Sequence, residues 1–299
     1  MKICSTIDEM RRASRAARHS GKRLGFVPTM GALHEGHLSL VRAAQAKCDL
    51  VAVSIFVNPL QFGPSEDLAK YPRTFERDRE LLEKEGVDIL FAPAAGEMYP
   101  SGAVTYVTVE GLSEKLCGRS RPGHFRSVTT VVAKLFHIVE PDLAFFGQKD
   151  AAQATIICRM VRDLNLPVEI VVCPIVREPD GLAMSSRNAY LSPQERKSAL
   201  VLHRALSEVK SRFEQGERSA GALIEAGKRV LVQEPAVRLD YFEVVNPATL
   251  DPVQALTSTV LVAVAAFVGN TRLIDNILLP ESEWARASSL VLLPVSRHR

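Results

Sequence analysis

The sequence predicts an α/β protein: a parallel β-sheet flanked by helices, followed by a smaller α+β C-terminal domain. Three observations carry this. Short apolar runs recur without polar alternation, as in "LVAVSIFVN" at residues 50–58, and strands buried on both faces, as parallel strands are, read this way. Most of the stretches between them have helical periodicity, which crossover connections supply. After about residue 192 the texture changes to a long helical region and then two further apolar strands.

Taken in order, "MKICSTIDEMRRASRAARHSGKR" is Arg-rich like a transit peptide, but it contains Asp8 and Glu9 and abuts a strand-like run, so it reads as a first helix. The strands of the sheet are "RLGFVPT", "LVAVSIFVN", "VDILFAP", "DLAFFGQ" and "VEIVVCPIV". After the first of them a helix places Leu40, Val41, Ala44 and Cys48 on one face, with Arg42 and Gln45 turned away. Residues 74–86 and 150–164 repeat that pattern. "VTYVTVE", Val104 to Glu110, alternates with Thr and reads as a peripheral strand or insertion. The helical region from about Ser192 to Gln233 opens on "SPQE", with Ser192 as N-cap, Pro193 at the first position and Glu195 closing a capping box. "LDYFEVVNP" and "TVLVAVAAFVG" are strands of the smaller unit, and the domain boundary falls near Ile175, giving 1–175 and 176–299. The tail "SEWARASSLVLLPVSRHR" shows no clear element.

Composition narrows the function. The chain has 299 residues, 46% hydrophobic and 24% charged, and a formal net charge of +3. Without long Lys/Arg blocks, nucleic acid is not the expected partner, and anionic small molecules fit better. Five scattered cysteines, never spaced CxxC, suggest neither a disulfide framework nor a zinc knuckle, so a reducing cytoplasm is the expected compartment. The apolar run "TVLVAVAAFVGNT" is shorter than the ~20 residues a bilayer span needs, so no membrane partner is expected.

The segment "FVPTMGALHEGHLSLVRAA", Phe26 to Ala44, stands out. "GALHEGH" has the GxxxxG skeleton of a P-loop, but His37 and Leu38 occupy the places of the Lys and Ser/Thr. Zinc-binding HExxH sets its histidines four apart, whereas His34 and His37 are three apart with Gly36 between them. A strand end, a tight turn and two histidines in a first helical turn can form an anion site from backbone N–H groups and imidazoles, with Gly36 letting a nucleotide lie close. A plain helix N-terminus with surface histidines accounts for the same residues equally well.

"HEGH" after the first strand and "MSSR" far downstream together resemble the HIGH and KMSKS pair of the nucleotidylyltransferase superfamily. Across nearly the whole chain the sequence resembles the pantothenate synthetase family of ATP-dependent ligases. It does so through "PTMGALHEGHLSLV", "SIFVNPLQFGPSEDLAKYPRT", "GHFRSVTTVVAKLF", "FFGQKDAAQ", "VREPDGLAMSSRNAYL" and "NTRLIDN", in that order. The resemblance implies that pantoate attacks the α-phosphorus of ATP to give pantoyl adenylate and pyrophosphate, after which the β-alanine amine displaces AMP. The domain of residues 1–175 is then a Rossmann-like nucleotide- and pantoate-binding domain, and 176–299 a smaller lid carrying MSSR. A different nucleotidylyltransferase, acting on a phosphorylated acceptor, is the alternative.

The same resemblance assigns residues. Met30, Gly31, Ala32, Leu33, His34, Glu35, Gly36 and His37 contact ATP, with His37 as general acid and His34 beside it. Gln61 and Gln153 take the pantoate, Gln61 also facing β-alanine. Gly147, Gln148, Lys149 and Asp150 line the nucleotide, Lys149 giving charge to the phosphates and Asp150 holding the ribose or capping the helix. Val176 contacts adenine through its backbone. In "AMSSR", Ala183 and Ser186 replace the two lysines of KMSKS, so Met184, Ser185, Ser186 and Arg187 close over the triphosphate with Arg187 as the cation. His37, His34, Lys149 and Arg187 form the catalytic set. Mg²⁺ is expected on phosphate oxygens, with Asp78 as a candidate contact or, alternatively, an exposed helix-terminal acid. "CGRSRPGHFRSV", with Arg119, Arg121, His124 and Arg126, reads as a mobile flap over anionic substrates. The family is expected to be homodimeric, with its contacts in the region from "SIFVNP" to "YPRT".

Overall fold

The computed structural model describes residues 1–63, 68–281 and 284, so the expectation for the tail beyond Glu281 falls outside the described residues, Trp284 excepted. The elements run β1 (Lys2–Cys4), α1 (Ile7–His19), β2 (Leu24–Thr29), α2 (Glu35–Gln45), β3 (Leu50–Ile55), α3 (Phe75–Lys84), β4 (Ile89–Phe91), α4 (Ala95–Met98) and α5 (Cys117–Ser120). They continue with α6 (His124–Val139), β5 (Leu143–Gly147), α7 (Ala151–Asp163), β6 (Glu169–Cys173), α8 (Pro193–Glu214), α9 (Ala220–Val232), β7 (Val237–Val245), β8 (Val260–Val268) and β9 (Thr271–Leu279).

The first six strands form one parallel sheet in the order β1-β4-β3-β2-β5-β6. Successive residues of each strand point to opposite faces, and both faces are covered. Phe26, Ala52, Phe91, Ala144 and Phe146 face a core completed by α1, α6 and α7, while Val27, Val51, Val53, Leu90 and Phe145 face α2 and α3. That double burial is why these strands read as unbroken apolar runs. The chain winds outward from β2 in one direction and from β5 in the other, so the strand order reverses between those two neighbours. In open sheets of this kind ligands bind at that reversal, beyond the C-terminal strand ends.

The last three strands form an antiparallel sheet, β7-β8-β9. Its two faces serve two cores. Tyr241, Leu261, Ala263, Ala265 and Leu278 join the core that contains α6 and α7, while Phe242, Val262, Val264 and Ala266 pack with α8 and α9. An antiparallel strand usually alternates because one face is wet, and β8 does not because neither of its faces is.

Four local expectations change. Residues 104–109 form no strand: the backbone of Val107 is held by hydroxyls of α6, donating to Thr130 Oγ1 at 3.0 Å and accepting from Thr129 Oγ1 at 2.6 Å. The long helical region is two helices, parted at Gly216, whose φ of +102° leaves the helix and lets Ser219 cap α9. Its start is as read, with Ser192 and Glu195 forming the capping box over Pro193. The basic segment is built into the body: α5 is tied to β7 by Arg119 with Glu243 and by Ser120 Oγ donating to Asp240 at 2.8 Å. A Cβ at Gly118 would sit 1.9 Å from the Ser113 carbonyl. Finally, β1 and β9 are strands, the former an edge strand too short to show a period.

Gly227 tests how tightly α9 sits on the small sheet. Alanine in a helix is favoured over glycine by about 1 kcal/mol, but a Cβ here would lie 2.2 Å from Cζ of Phe242, itself buried. Overpacking of that kind costs about 1–3 kcal/mol, so Gly227→Ala should lower the denaturant midpoint; a raised midpoint would show that the ring can move aside.

Candidate active site

The loop after β2 turns on two residues with positive φ, Gly31 (+78°) and Ala32 (+50°). A left-handed alanine costs about 1–2 kcal/mol, and the loop offsets this with a buried acceptor. Asp78 Oδ2 accepts from the Ala32 amide at 2.8 Å and Oδ1 from the Leu33 amide at 2.9 Å, while Thr74 Oγ1 donates to Oδ2 at 3.1 Å. Asp78 is 1% exposed. It is therefore not an exposed helix-terminal acid, and its oxygens already serve three donors rather than a cation.

At the start of α2, His34 is the N-cap and His37 the third helical residue, and their side chains replace the usual Ser and Glu of a capping box. The Gly36 amide donates to His34 Nδ1 at 3.1 Å and the His34 amide donates to His37 Nδ1 at 3.3 Å. A backbone N–H can only donate, so both Nδ1 atoms are acceptors, and each neutral ring carries its hydrogen on Nε2. The ring centroids are 4.1 Å apart. Burial first, and then the Lys149 ammonium, holds His34 down at about 4. Burial, then His34 and Lys149, holds His37 down at about 3. Both rings are neutral donors at neutral pH.

Two local features of this turn add to the expectations for it. The amides of Gly31, Ala32, Leu33, His34, Gly36, His37 and Leu38 all end on protein acceptors, so the anion-binding potential of the turn resides in imidazoles rather than in a row of open backbone donors. The space at Gly36 is filled by the His34 ring, whose Cε1 lies 2.9 Å from where a Cβ would be. Glu35 projects along the helix to pair with Arg42, Leu33 is buried, and Met30 precedes the turn.

Across the reversal, Gly147 ends β5 and Gln148, Lys149 and Asp150 form a 3₁₀ turn into α7. Asp150 sits at the N-cap position without a side-chain cap, contrary to the capping alternative, and lies 3.4 Å from the Lys149 ammonium. Burial alone would raise its carboxyl, but Lys149, then Arg187 and His124, more than offset that and hold it low. The strap after β6 doubles back through an Arg177–Ala183 bridge, with the Met184 amide donating to the Val176 carbonyl at 3.0 Å. Ser185 then caps the turn Ser186–Tyr190, accepting from the Arg187 amide at 3.2 Å, and Ser186 Oγ donates to the Ala32 carbonyl at 3.2 Å.

Lys149, Asp150, Gln153, Ser185 and Arg187 line one cleft. Gln61 stands apart from it, on the turn after β3, and is joined to it through Arg121 and His124, which donate to the Gln61 carbonyl at 3.2 and 3.1 Å. Asn58, fully buried, donates to Gln61 Oε1 at 3.0 Å, which leaves the Gln61 amide hydrogens to point elsewhere. Sequence reading missed Asn58, whose only signal is a polar residue closing an apolar run. It also gave no role to Asp275 and Asn276, a polar pair between Leu273 and Leu278. Among the described residues no group of three or more His, Cys, Asp or Glu could hold a metal, and no helix is long and apolar enough to cross a membrane.

Two neutral imidazoles, a lysine and an arginine gathered where a parallel sheet reverses its strand order define an α/β protein that handles phosphate-bearing small molecules. A family model described as pantoate-beta-alanine ligase matches residues 2–278. The pantothenate synthetase of Koribacter versatilis is 58% identical over 286 residues, covering 96% of this chain and 98% of its own. That of Thermotoga petrophila is 58% identical over 279 residues, covering 93% and 100%. The crystal structure of pantothenate synthetase from Thermus thermophilus matches with a TM-score of 0.88 at 48% identity, over 93% of this chain and 99% of that one. A pantoate-beta-alanine ligase from Francisella tularensis, solved with beta-gamma ATP and β-alanine, matches with a TM-score of 0.77 at 32% identity, over 94% and 99%. The chain belongs to the pantoate–β-alanine ligase family.

The imidazole arrangement is open to direct measurement. In ¹⁵N-histidine spectra at pH 6, assigned with His34→Gln and His37→Gln variants, both rings should appear neutral with the hydrogen on Nε2; an imidazolium at either position would overturn the assignment. Because both folded pKa values lie below the unfolded value of about 6.5, the unfolded chain takes up these protons first. The two rings therefore withdraw stability as pH falls below about 6.5, His34 down to about 4 and His37 down to about 3, and contribute none of that loss above it. Asp78→Asn turns an amide hydrogen toward a backbone donor and should cost about 1–3 kcal/mol of stability in a denaturant titration; unchanged stability would show that the loop does not depend on the carboxylate.

Proposed function

We propose that this protein condenses (R)-pantoate with β-alanine in an ATP-dependent reaction through pantoyl adenylate, releasing pyrophosphate and then AMP, and so acts in pantothenate biosynthesis. Membership of the family supports the overall reaction. The observation that carries the mechanism is the pair of Nε2–H donors, fixed in tautomer by backbone amides and set near Lys149.

In the first step a pantoate carboxylate oxygen forms a bond to the α-phosphorus as the bond to the pyrophosphate oxygen breaks, and charge grows on the departing oxygens. His34 and His37 donate hydrogen bonds toward those oxygens, and a single well-placed donor is worth about 3–4 kcal/mol in comparable sites. Anions beside an imidazole raise its pKa, so nucleotide binding draws both rings up from their low free values; His37 acts as general acid by taking a proton from solvent on Nδ1 in place of the His34 amide bond, passing its Nε2 hydrogen to the departing oxygen and so returning to the neutral form. Lys149 and Arg187 neutralise the phosphates from two directions, with Ser185 and Ser186 closing over them alongside Met184. Asp150 takes the ribose hydroxyls, Val176 the adenine by its backbone, and Gln153 and Gln61 the pantoate. In the second step the β-alanine amine attacks the acyl carbon and AMP leaves with the bonding electrons.

Mg²⁺ would enter with the nucleotide, held by its phosphate oxygens, and would supply charge neutralisation there. Asp78 does not fit as its ligand, since its oxygens hold backbone amides and Thr74. On the same reading residues 1–175 bind nucleotide and pantoate and 176–299 form the smaller unit that covers them. The active form is a cytoplasmic homodimer with its contacts in the region from "SIFVNP" to "YPRT", within which residues 64–67 lie outside the described residues.

Exchange of labelled pyrophosphate into ATP should require pantoate and no other acid; exchange that ignores pantoate overturns the reading. In the same assay His37→Ala should slow exchange about 10²–10³-fold, with the ATP dissociation constant changed by less than about tenfold. Equal losses in both would make His37 a ground-state contact only.

A further inference from the structure

Asn276 lies in β9, remote in sequence from the loops described above, yet its carboxamide is spent entirely on one of them. Its Nδ2 donates to the carbonyls of Gln148 and Lys149, each at 3.0 Å, and its Oδ1 accepts from Gln148 Nε2 at 3.2 Å. These three contacts fix which end of the amide faces the loop. The residue is 3% exposed.

The position itself argues for a purpose. Ile274 and Leu278, two residues away on either side, pack with the large core, so strand alternation puts residue 276 on the same apolar face. Packing alone calls for an aliphatic side chain there, because burying an amide gains nothing unless its hydrogen bonds are needed. Its partner across the sheet is Ala263, small enough to leave room for the amide. The strand is pinned beside it: Asp275 holds Arg177 with both oxygens, at 2.6 and 2.9 Å, and accepts from the Asn276 amide at 2.7 Å. Asn276 thus reaches the loop from a fixed base.

What the loop presents is Lys149, a flexible four-carbon stem whose charge goes where its root directs it. In this structure the ammonium is paired with the Asp150 carboxylate at 3.4 Å. We propose that Asn276 is a positioning residue for Lys149, clamping the backbone from which the ammonium is delivered, so that it can pass from Asp150 to the phosphates without its root moving. The inference rests on the reading of Lys149 as a phosphate-neutralising cation.

The test is a double-mutant cycle in pantoate-dependent ATP–pyrophosphate exchange, using wild type, Lys149→Ala, Asn276→Asp and the double variant. Asn276→Asp keeps the shape and removes both donors; if its melting curve shows that it does not fold, Asn276→Ala takes its place. Asn276→Asp is expected to lower kcat about 10- to 100-fold, as misplacement by about 1 Å does, with the pantoate KM within about twofold. In the Lys149→Ala background the same substitution should have no further effect. A multiplicative loss in the double variant would make Asn276 structural and overturn the proposal, as would a wild-type kcat or the failure of both Asn276 variants to fold. If Lys149→Ala itself leaves kcat unchanged, the phosphate role of Lys149 falls and the clamp that serves it falls with it; a loss in Lys149→Ala without one in Asn276→Asp removes the clamp alone.

Discussion

The amides of Ala32 and Leu33 end on the buried carboxylate of Asp78, and the placement of both imidazoles follows from that. The carboxylate holds the chain in the left-handed turn at Gly31 and Ala32 and so sets the direction in which α2 begins. With that direction fixed, His34 falls at the N-cap and His37 one turn on, each ring receiving an amide hydrogen on Nδ1. Their Nε2–H groups are left as donors. A carboxylate from α3 therefore decides, at second hand, what two side chains of α2 offer to a ligand. Its own charge is consumed by backbone dipoles and a hydroxyl, so it does not compete with the ligand for the cations.

On the proposed reading of the site, the electrostatic logic depends on keeping those rings neutral until an anion arrives. Burial and Lys149 disfavour imidazolium in the free protein, and the same Lys149 helps hold Asp150 ionised. The free site thus carries a Lys149–Asp150 ion pair and the Arg187 cation, with two uncharged donors near them. Permanently charged histidines would pair with Asp150. Neutral ones stay available and gain charge only when phosphate oxygens supply the reason, which is when extra stabilisation is useful.

The legibility of the sequence tracks how local each cause is. The parallel sheet is readable because strands covered on both faces leave continuous apolar runs, and the cap at Ser192 because a capping box is written within four residues. The two positive-φ residues are half readable, since Gly31 announces a turn and Ala32 does not. β9 escapes as a strand because Arg272, Asp275 and Asn276 interrupt its apolar pattern, each for a contact with another part of the fold. The expectation of an open helix N-terminus fails for a similar reason: the acceptor for Ala32 and Leu33 is 46 and 45 residues away, and no spacing rule connects them. Residues 104–109 carry a strand's alternation, but hydroxyls on α6 take their backbone groups instead of a neighbouring strand.

The small antiparallel sheet shows how the two units constrain each other. Its inner face supplies Tyr241, Leu261, Ala263, Ala265 and Leu278 to the same core as α6 and α7. Swinging the sheet away as a rigid body would expose that face, at about 1.5–3 kcal/mol for each large side chain, and would also break the Asn276 contacts to Gln148 and Lys149. The strap over the cleft is tied at several points, among them Tyr190 Oη donating to the Lys70 carbonyl at 3.2 Å and Asn188 Nδ2 donating to Glu178 at 3.0 Å. It meets the β2 loop through Ser186 on the Ala32 carbonyl, a neutral hydrogen bond worth about 0.5–1.5 kcal/mol, while its root is anchored by Arg177 on Asp275. One strand, β9, thus fixes both the turn that carries Lys149, through Asn276, and the root of the strap that carries Arg187, through Asp275, so the two cations reach the cleft from a common base.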